Sequence, residues 1–338
     1  IDVADAVAWL ARDPATRVIA LYLETLRHPD RFRAAAGLAA EAGKPVVVYK
    51  VGRSEAGARS AASHTGALAG EDRIYDAFFT QLGILRVDRF DDLVDVPMAL
   101  AAAPRPAGKR IAILTSTGGA AGLVADVCGM AGFDVPQPGP DTVERLGALL
   151  RDAGYVPDRN PIDLTLAGLD PDVIHGAVTA LLESSDYDAV IPIAGSSAVG
   201  RPALLADPVI RAAETADKPV LVYASPSAPD VISRLNRAGV PAFAAPEACA
   251  AALAALIRPP RRPAAAPSPG PTAGDALPPA LAGRDGPLNE AEAKSLFAAF
   301  GIPGVRETLA DTAAEAAAAA QDIGGEVVVK LLARAVAH

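Results

Sequence analysis

KPVVVYK at residues 44–50 and KPVLVYA at residues 218–224 are near copies of one another. Each is a lysine and a proline followed by a short, unbroken apolar run, the pattern of a strand buried on both faces. Each also follows another such run by a similar interval: VIALYL from residue 18 and VIPIAG from residue 190. The intervals hold Ala-rich, helix-forming sequence. Strand, helix and strand in that order build a parallel sheet with a crossover helix. Its recurrence gives two α/β domains of one type, over residues 1–103 and 108–257.

The same pattern continues outward. RVIALYLE (17–24), GILRVD (83–88), RIAILTS (110–116) and DAVIPIAG (188–195) read as further strands. Between residues 258 and 287 lie nine of the thirty prolines, mixed with Ala, Gly and Arg. No core can form from such a stretch, so it is expected to be a stiff, extended linker. After it, LNEAEAKSLFAAFGI (288–302) has Asn289 as an N-cap and Gly301 as a stop, which predicts a helix. A second Ala-rich helix is expected over 312–322 and a strand over GEVVVK (325–330). Two helices and a strand make a poor independent core, so residues 288–338 read as the opening of a third domain.

Bulk composition narrows the function classes. A chain of 338 residues suggests two or three domains. Hydrophobic residues make up 51% but aromatics only 4%, so the cores must be aliphatic. The formal charge of −9 argues against a nucleic-acid surface. It does not argue against small anionic ligands, which local groups hold. The two cysteines, Cys128 and Cys249, form no CxxC pair, so no zinc framework is visible and a reducing, cytoplasmic compartment fits. No apolar run approaches about 20 residues, so no membrane span is expected. The first residue is Ile1, with no signal peptide ahead of it, so the chain reads as a piece of a longer protein.

The chemistry is expected where sheets of this kind bind ligands, at the carboxyl ends of their strands. RSAASHTGALAG (59–70) follows the strand of the first copy and sets His64 among Ser63, Thr65, Gly66 and Ala67. One reading of His64 is a capping or packing histidine. The other is a nucleophile toward phosphorus, with small neighbours whose amides can approach an anion. Glu24 ends the strand before it in the same domain. It is either a solvated surface carboxylate or the acid that fixes the imidazole's tautomer. In the second domain, TSTGGAAGLVADV (115–127) runs from a strand through a Gly-rich turn into a helix, which aims helix amides at a phosphate. It is neither a P-loop nor GxGxxG. NPIDLT (160–165) has turn chemistry, with Asp163 available to backbone or ligand. Lys330 either contacts a nucleotide phosphate or ends a strand in solvent. His28 reads as a surface turn, His175 as a helix face, and Cys128 as core.

KPVVVYKVGRSEAGARSAASHTGALAG closely resembles the signature of the NDP-forming acyl-CoA synthetases, relatives of succinyl-CoA synthetase and ADP-forming acetyl-CoA synthetase. AILTSTGGAAGLVADV and NPIDLT resemble the next domain of that family. The sequence from 288 to 330 is similar to the opening of its ATP-grasp domain. The resemblance implies an α/β fold of two flavodoxin-like, succinyl-CoA synthetase-like parallel-sheet domains plus the start of an ATP-grasp domain. It implies that His64 carries a phosphoryl group and that Glu24 holds His64. It implies that Ser116, Thr117, Gly118, Gly119 and Ala120 steady the phosphate and that Lys330 contacts nucleotide. The implied reaction interconverts acyl-CoA, ADP and phosphate with carboxylic acid, CoA and ATP, through an acyl phosphate and a phosphohistidine. ATP or ADP with Mg2+ and coenzyme A are the implied substrates, with no resident metal, no nucleic acid and no membrane. Family members pair subunits, so a homo-oligomer is an expectation of the same kind.

The resemblance also implies a CoA-binding domain ahead of Ile1, further strands of the first sheet, and the rest of the ATP-grasp domain after His338. Some relatives are instead acyl-CoA-responsive protein lysine acetyltransferases, in which the histidine is typically replaced; a non-catalytic CoA-binding module is a third reading. The histidine at 64 favours the synthetase.

Overall fold

A computed structural model describes residues 1–57, 59, 71–150, 156–225, 227–258, 281, 286 and 288–332. The chain forms two compact units, Ile1–Ala264 and Ala265–His338. The first holds two parallel sheets. The smaller has three strands in the order β1-β2-β3, namely Ile19–Leu23, Val46–Lys50 and Leu85–Val87. The larger has five in the order β5-β4-β6-β7-β8. Here β4 is Ile111–Thr115, β5 Ile162–Asp163, β6 Ala189–Ala194, β7 Val222–Ala224 and β8 Ala242–Phe243.

In the smaller sheet, α1 (Val3–Arg12) precedes β1, α2 (Pro29–Glu41) joins β1 to β2, and α3 (Asp72–Gln81) leads into β3. The apolar side chains of α1 and α2 close over Ile19, Leu21, Leu23, Val46 and Val48. The helix α4 (Asp92–Ala102) leads from the smaller sheet to the larger. In the larger sheet, α5 (Gly118–Met130) follows β4, α6 is Pro140–Leu149, and α7 (Pro171–Glu183) precedes β6. Then α8 (Pro202–Ala213), α9 (Pro229–Arg237) and α10 (Pro246–Ile257) follow β6, β7 and β8. Cores form on both faces of this sheet. Ala255 of α10 packs with Val96 of α4 and with Val47 and Val87. The two sheets therefore share apolar contacts within one unit.

The pairing registers superimpose the two copies. Tyr22 lies opposite Tyr49 and Leu23 opposite Lys50 in the smaller sheet; Ile193 lies opposite Tyr223 and Ala194 opposite Ala224 in the larger. The amide of Val51 donates to the Leu23 carbonyl at 3.0 Å, and that of Ser225 to the Ala194 carbonyl at 2.9 Å. The β6-β7-β8 part of the larger sheet thus matches β1-β2-β3.

The shared lysine has the same task in both copies. Lys44 Nζ donates to the carbonyls of Leu10 and Asp13 at the end of α1, at 3.0 and 2.6 Å. Lys218 Nζ donates to the carbonyl of Ser184 at the end of α7. Both cations sit at the carbonyl end of the helix packed beside their sheet, where helix geometry leaves acceptors unpaired.

The sequence missed two strands. NPIDLT contains β5 as well as a turn, and β8 escaped notice. Both have two residues, too few to show a pattern. In the second unit, α11 (Glu290–Ala299) and α12 (Ala313–Ile323) form where expected, each with a capping box, from Asn289 and Thr312. The expected strand over 325–330 does not form. No neighbouring strand pairs with it among the described residues, and Val328 and Val329 are exposed. A single extended segment cannot satisfy its backbone as a strand without a partner. Nearly all of the Pro-rich stretch 258–287 lies outside the described residues.

Candidate active site

The carboxyl ends of the strands in each sheet gather the residues of interest, and the two edges differ. On the smaller sheet, β1 ends at Leu23 and Glu24 is the next residue, half-buried. Beside it, β2 ends at Lys50, only 1% exposed. Lys50 Nζ donates to the neighbouring Val51 carbonyl and lies 4.5 Å from the centre of the Tyr75 ring. Burial pulls the Lys50 ammonium below the usual lysine range, against the opposing charges of Asp72 and Glu24 and with the help of Arg86. The hydroxyl of Tyr75 accepts the Leu26 amide proton at 3.3 Å, two residues beyond Glu24.

A second layer of charge lies behind Lys50. Arg86 on β3 is largely buried and pairs with Asp72 and, at 3.5 Å, with Asp76. Arg53 lies 3.8 Å from Asp72 and 2.5 Å from Asp88. Arg53 precedes the histidine segment and Asp72 follows it, so these pairs tie together the chain on either side of residues 60–70. His64, Ser63, Thr65 and Gly66 lie outside the described residues.

On the larger sheet the corresponding edge is open and carries a carboxylate, Asp163, at the end of β5. The chain leaves β4 through Ser116 and Thr117 into α5. Thr115 and Thr117 fix this turn: the Thr117 amide donates to Thr115 Oγ1 at 2.8 Å, and that hydroxyl donates to the Thr117 carbonyl at 2.9 Å. No side chain caps α5, and Thr117, Gly118 and Gly119 are exposed while Ala120 is buried. The first amides of α5 are therefore available to an anion. Two glycines make the turn fit. A Cβ on Gly195, after β6, would come within 2.4 Å of Thr117 Oγ1, and one on Gly168 within 2.9 Å of Ser116 Cβ.

Asp163 closes the far side of this edge. Its Oδ1 accepts the Thr165 amide at 2.8 Å, so it holds backbone, one of its two expected tasks. Asn160 is the larger finding, since sequence reading credited it only with turn chemistry. It is buried, its Oδ1 accepts the Ile113 amide at 3.0 Å, and its Nδ2 donates to the Ile111 and Pro136 carbonyls at 2.8 and 2.9 Å. It precedes a cis peptide to Pro161. It thereby ties the approach to β5 onto β4.

The remaining candidates fall as follows. Lys330 Nζ lies 3.0 Å from Glu290 Oε1, and Lys294 lies 2.9 Å from the same oxygen. Hydrogen bonds from Lys294 and then Lys330 draw the Glu290 carboxyl down to about 2. His28 is exposed just before α2, and His175 on α7 places Nδ1 3.2 Å from the Pro208 carbonyl. Cys128 and Cys249 are free thiols in the core; burial pushes Cys128 up to about 12 and Cys249 well above its usual range. No group of three or more His, Cys, Asp or Glu residues suited to a metal occurs among the described residues. No described helix is long and apolar enough to cross a membrane.

Comparison with known proteins agrees with this architecture. Residues 1–100 match the succinyl-CoA ligase like flavodoxin domain, and residues 279–338 match an ATP-grasp domain. A trans-feruloyl-CoA synthase from an unknown prokaryotic organism is 34% identical over 99% of this chain and 48% of its own length. The alpha subunit of an ADP-forming acetate–CoA ligase I of Pyrococcus furiosus is 35% identical over 76% of this chain and 56% of its own. The chain thus spans about half the length of the curated relatives it matches. A solved structure of a dinucleotide forming acetyl-coenzyme A synthetase 1 of Ca. Korarchaeum cryptofilum, in complex with phosphate and ADP, superimposes with a TM-score of 0.65. It is 32% identical and covers 76% of this chain and 56% of that one. With two parallel sheets in sister registers and these matches, the chain belongs to the ADP-forming acyl-CoA synthetase family.

Proposed function

We propose that this chain supplies the phosphoryl-carrying part of an ADP-forming acyl-CoA synthetase. The observation that carries the reading is the unequal pair of sheet edges in a chain of this family. One edge presents Glu24 at the end of β1, beside β2, the strand that in sequence leads toward His64. The other presents uncapped helix amides at Gly118–Ala120.

The reaction then runs in three balanced steps. Phosphate attacks the thioester carbonyl of acyl-CoA, giving an acyl phosphate and releasing CoA. The His64 imidazole attacks the phosphorus of the acyl phosphate, the carboxylate leaves, and phosphohistidine forms. ADP takes the phosphoryl group, giving ATP and free histidine. Every step reverses. Glu24 holds the ring tautomer and balances the positive charge that develops on the imidazole. The amides of Ser116, Gly118, Gly119 and Ala120 steady the phosphate oxygens, and Thr117, whose amide is held by the Thr115 hydroxyl, shapes the turn. Lys330 gives up Glu290 to meet nucleotide phosphate. Mg2+ enters only as the counter-ion of the nucleotide. A phosphoryl group carried on a side chain solves the separation of CoA and nucleotide sites on different domains. The substrates are a small carboxylic acid, CoA, phosphate and adenine nucleotide, in the cytoplasm.

The test is phosphorylation of the intact polypeptide with γ-labelled ATP, set beside His64→Ala. Acid-labile, base-stable label that disappears in the variant is the expected result. Absence of label on folded, nucleotide-binding protein would remove His64 from this role and return the chain to the acyl-CoA-responsive regulatory or acetyltransferase-scaffold readings.

A further inference from the structure

Lys50 stands buried at the charged edge, the reaction above leaves it unused, and its burial demands a reason. An ammonium hidden from water is costly unless its surroundings repay it. The two other lysines of the repeat repay theirs by meeting carbonyls at a helix end. Lys50 meets none. Among the described residues its partners are the adjacent Val51 carbonyl and the face of Tyr75, and no carboxylate lies within ion-pair distance.

The sister sheet shows what the scaffold needs at this place. In register, Lys50 corresponds to Ala224, Glu24 to Gly195 and Arg86 to Ala242. A parallel sheet of this type therefore closes with small residues at all three places. The charge on the smaller sheet is an addition to the scaffold, and it arrives as a set. Glu24 is among the charges that act on Lys50. Tyr75, on whose ring Lys50 sits, grips the Glu24 turn by accepting the Leu26 amide proton.

We propose that Lys50 is the positioning residue for Glu24: it seats the Tyr75 ring, and the Tyr75 hydroxyl in turn grips residues 24–26 at the end of β1. This rests on the phosphohistidine reading, in which Glu24 must meet the same ring on every cycle. A carboxylate fixed beforehand costs no rearrangement at the moment of phosphoryl transfer. Lys50 touches no substrate in this account. Its effect passes through Glu24, so its loss slows transfer and leaves substrate affinity alone.

The experiment is single-turnover labelling of the intact polypeptide from γ-labelled ATP, with Lys50→Met, Glu24→Gln, the double variant and His64→Ala in parallel. Lys50→Met is expected to slow labelling by about tenfold with the nucleotide KM within about twofold of the parent. The double variant is expected to label no more slowly than Glu24→Gln alone, because removing the agent adds nothing once its target is gone. Parental labelling in Lys50→Met, or multiplied losses in the double variant, would overturn the proposal while loss of label in His64→Ala kept the phosphohistidine reading intact. A wild-type protein without label, or one whose label survives His64→Ala, would overturn both. If Lys50→Met melts below the assay temperature, Tyr75→Phe takes its place, since it removes only the hydroxyl that holds Leu26. It is expected to slow labelling by about threefold at an unchanged melting temperature. Parental labelling there would overturn the proposal as well.

Discussion

The two sheets place different chemistry on one backbone. At the carboxyl edge of the smaller sheet stand Glu24, Lys50 and Arg86; at the same register positions of the larger stand Gly195, Ala224 and Ala242. At the opposite edge the copies agree, with Lys44 and Lys218 each meeting carbonyls at a helix end. The difference teaches where the fold is constrained and where it is free. The amino edge carries interactions that hold strand to helix, so it is kept. The carboxyl edge is where ligands approach in such sheets, so the copies diverge there. One edge is built for a charged residue pair. The other is built for close backbone approach, with Gly195 and Gly168 leaving room for Thr117 and Ser116.

The largest effect that separates the copies is expected at Asn160, which has no counterpart in the smaller sheet. Its side chain makes three hydrogen bonds to the backbone, two of them from wholly buried positions on β4. Asn160→Ala takes the partner from the buried Ile113 amide and a donor from each of the Ile111 and Pro136 carbonyls, at a cost of about 3 kcal/mol. For a unit of this size that lowers the melting temperature by roughly 6–12 °C. Calorimetry of the purified chain measures it. A change of about 1 °C would mean that β4 and β5 hold together without this residue.

The second effect tests whether the copies truly share a task. Lys44→Met and Lys218→Met each strip a half-buried helix end of its donor while keeping the aliphatic stem. Each is expected to cost about 1–2 kcal/mol in chemical denaturation, and the two losses should agree within about 0.5 kcal/mol. A full loss in one and none in the other would break the correspondence at the amino edge and leave only the strand register to support it.

Much of this was legible beforehand, for reasons visible in particular residues. KPVVVYK and KPVLVYA announced buried parallel strands because both faces are covered, which makes the whole run apolar. Asn289 and Thr312 announced their helices through caps that act locally. What stayed hidden depends on partners far along the chain. β5 and β8 exist because β4 and β7 lie beside them, not because of their own sequence. GEVVVK has strand propensity but no partner strand among the described residues, and so remains without strand structure. In the candidate site, Glu24 and the turn at Ser116–Ala120 could be read from their place after a strand. Lys50 could not: an alternating or continuous apolar pattern says nothing of a lysine folded under a tyrosine from a later helix. The signal that could have found it was the repeat itself, where KPVVVYK ends in lysine and KPVLVYA in alanine.

The smallest expected effect lies where the two sheets meet, in α4. Asp95 faces a crowded environment: Asp92 and Asp91 on or beside its own helix, Arg89 before it, and Cys249 on α10. Burial, then the neighbouring aspartates, raise its carboxyl from 3.8 to about 6, with Arg89 opposing. Asp92, with a buried oxygen that has no partner, is raised as well by burial. The sign follows from linkage. A carboxyl whose folded value is raised binds its proton more tightly in the native state. Its contribution to stability is full below about pH 4 and is lost as the pH rises through about 6. Above that, the native state must carry a half-buried negative charge beside two others. Asp95→Asn should therefore stabilise the chain at pH 7.5 by about 1 kcal/mol, a figure reduced for the partial screening of a group that water still reaches. At pH 4.5 the same substitution should be nearly neutral. Denaturant titrations of both proteins at the two pH values measure this. Equal effects at both would show that Asp95 keeps an ordinary carboxyl and that the α4 joint is insensitive to pH. A gain confined to pH 7.5 would instead mark the joint as a place where the two copies meet at a standing electrostatic cost, unlike either of the sheet edges it connects.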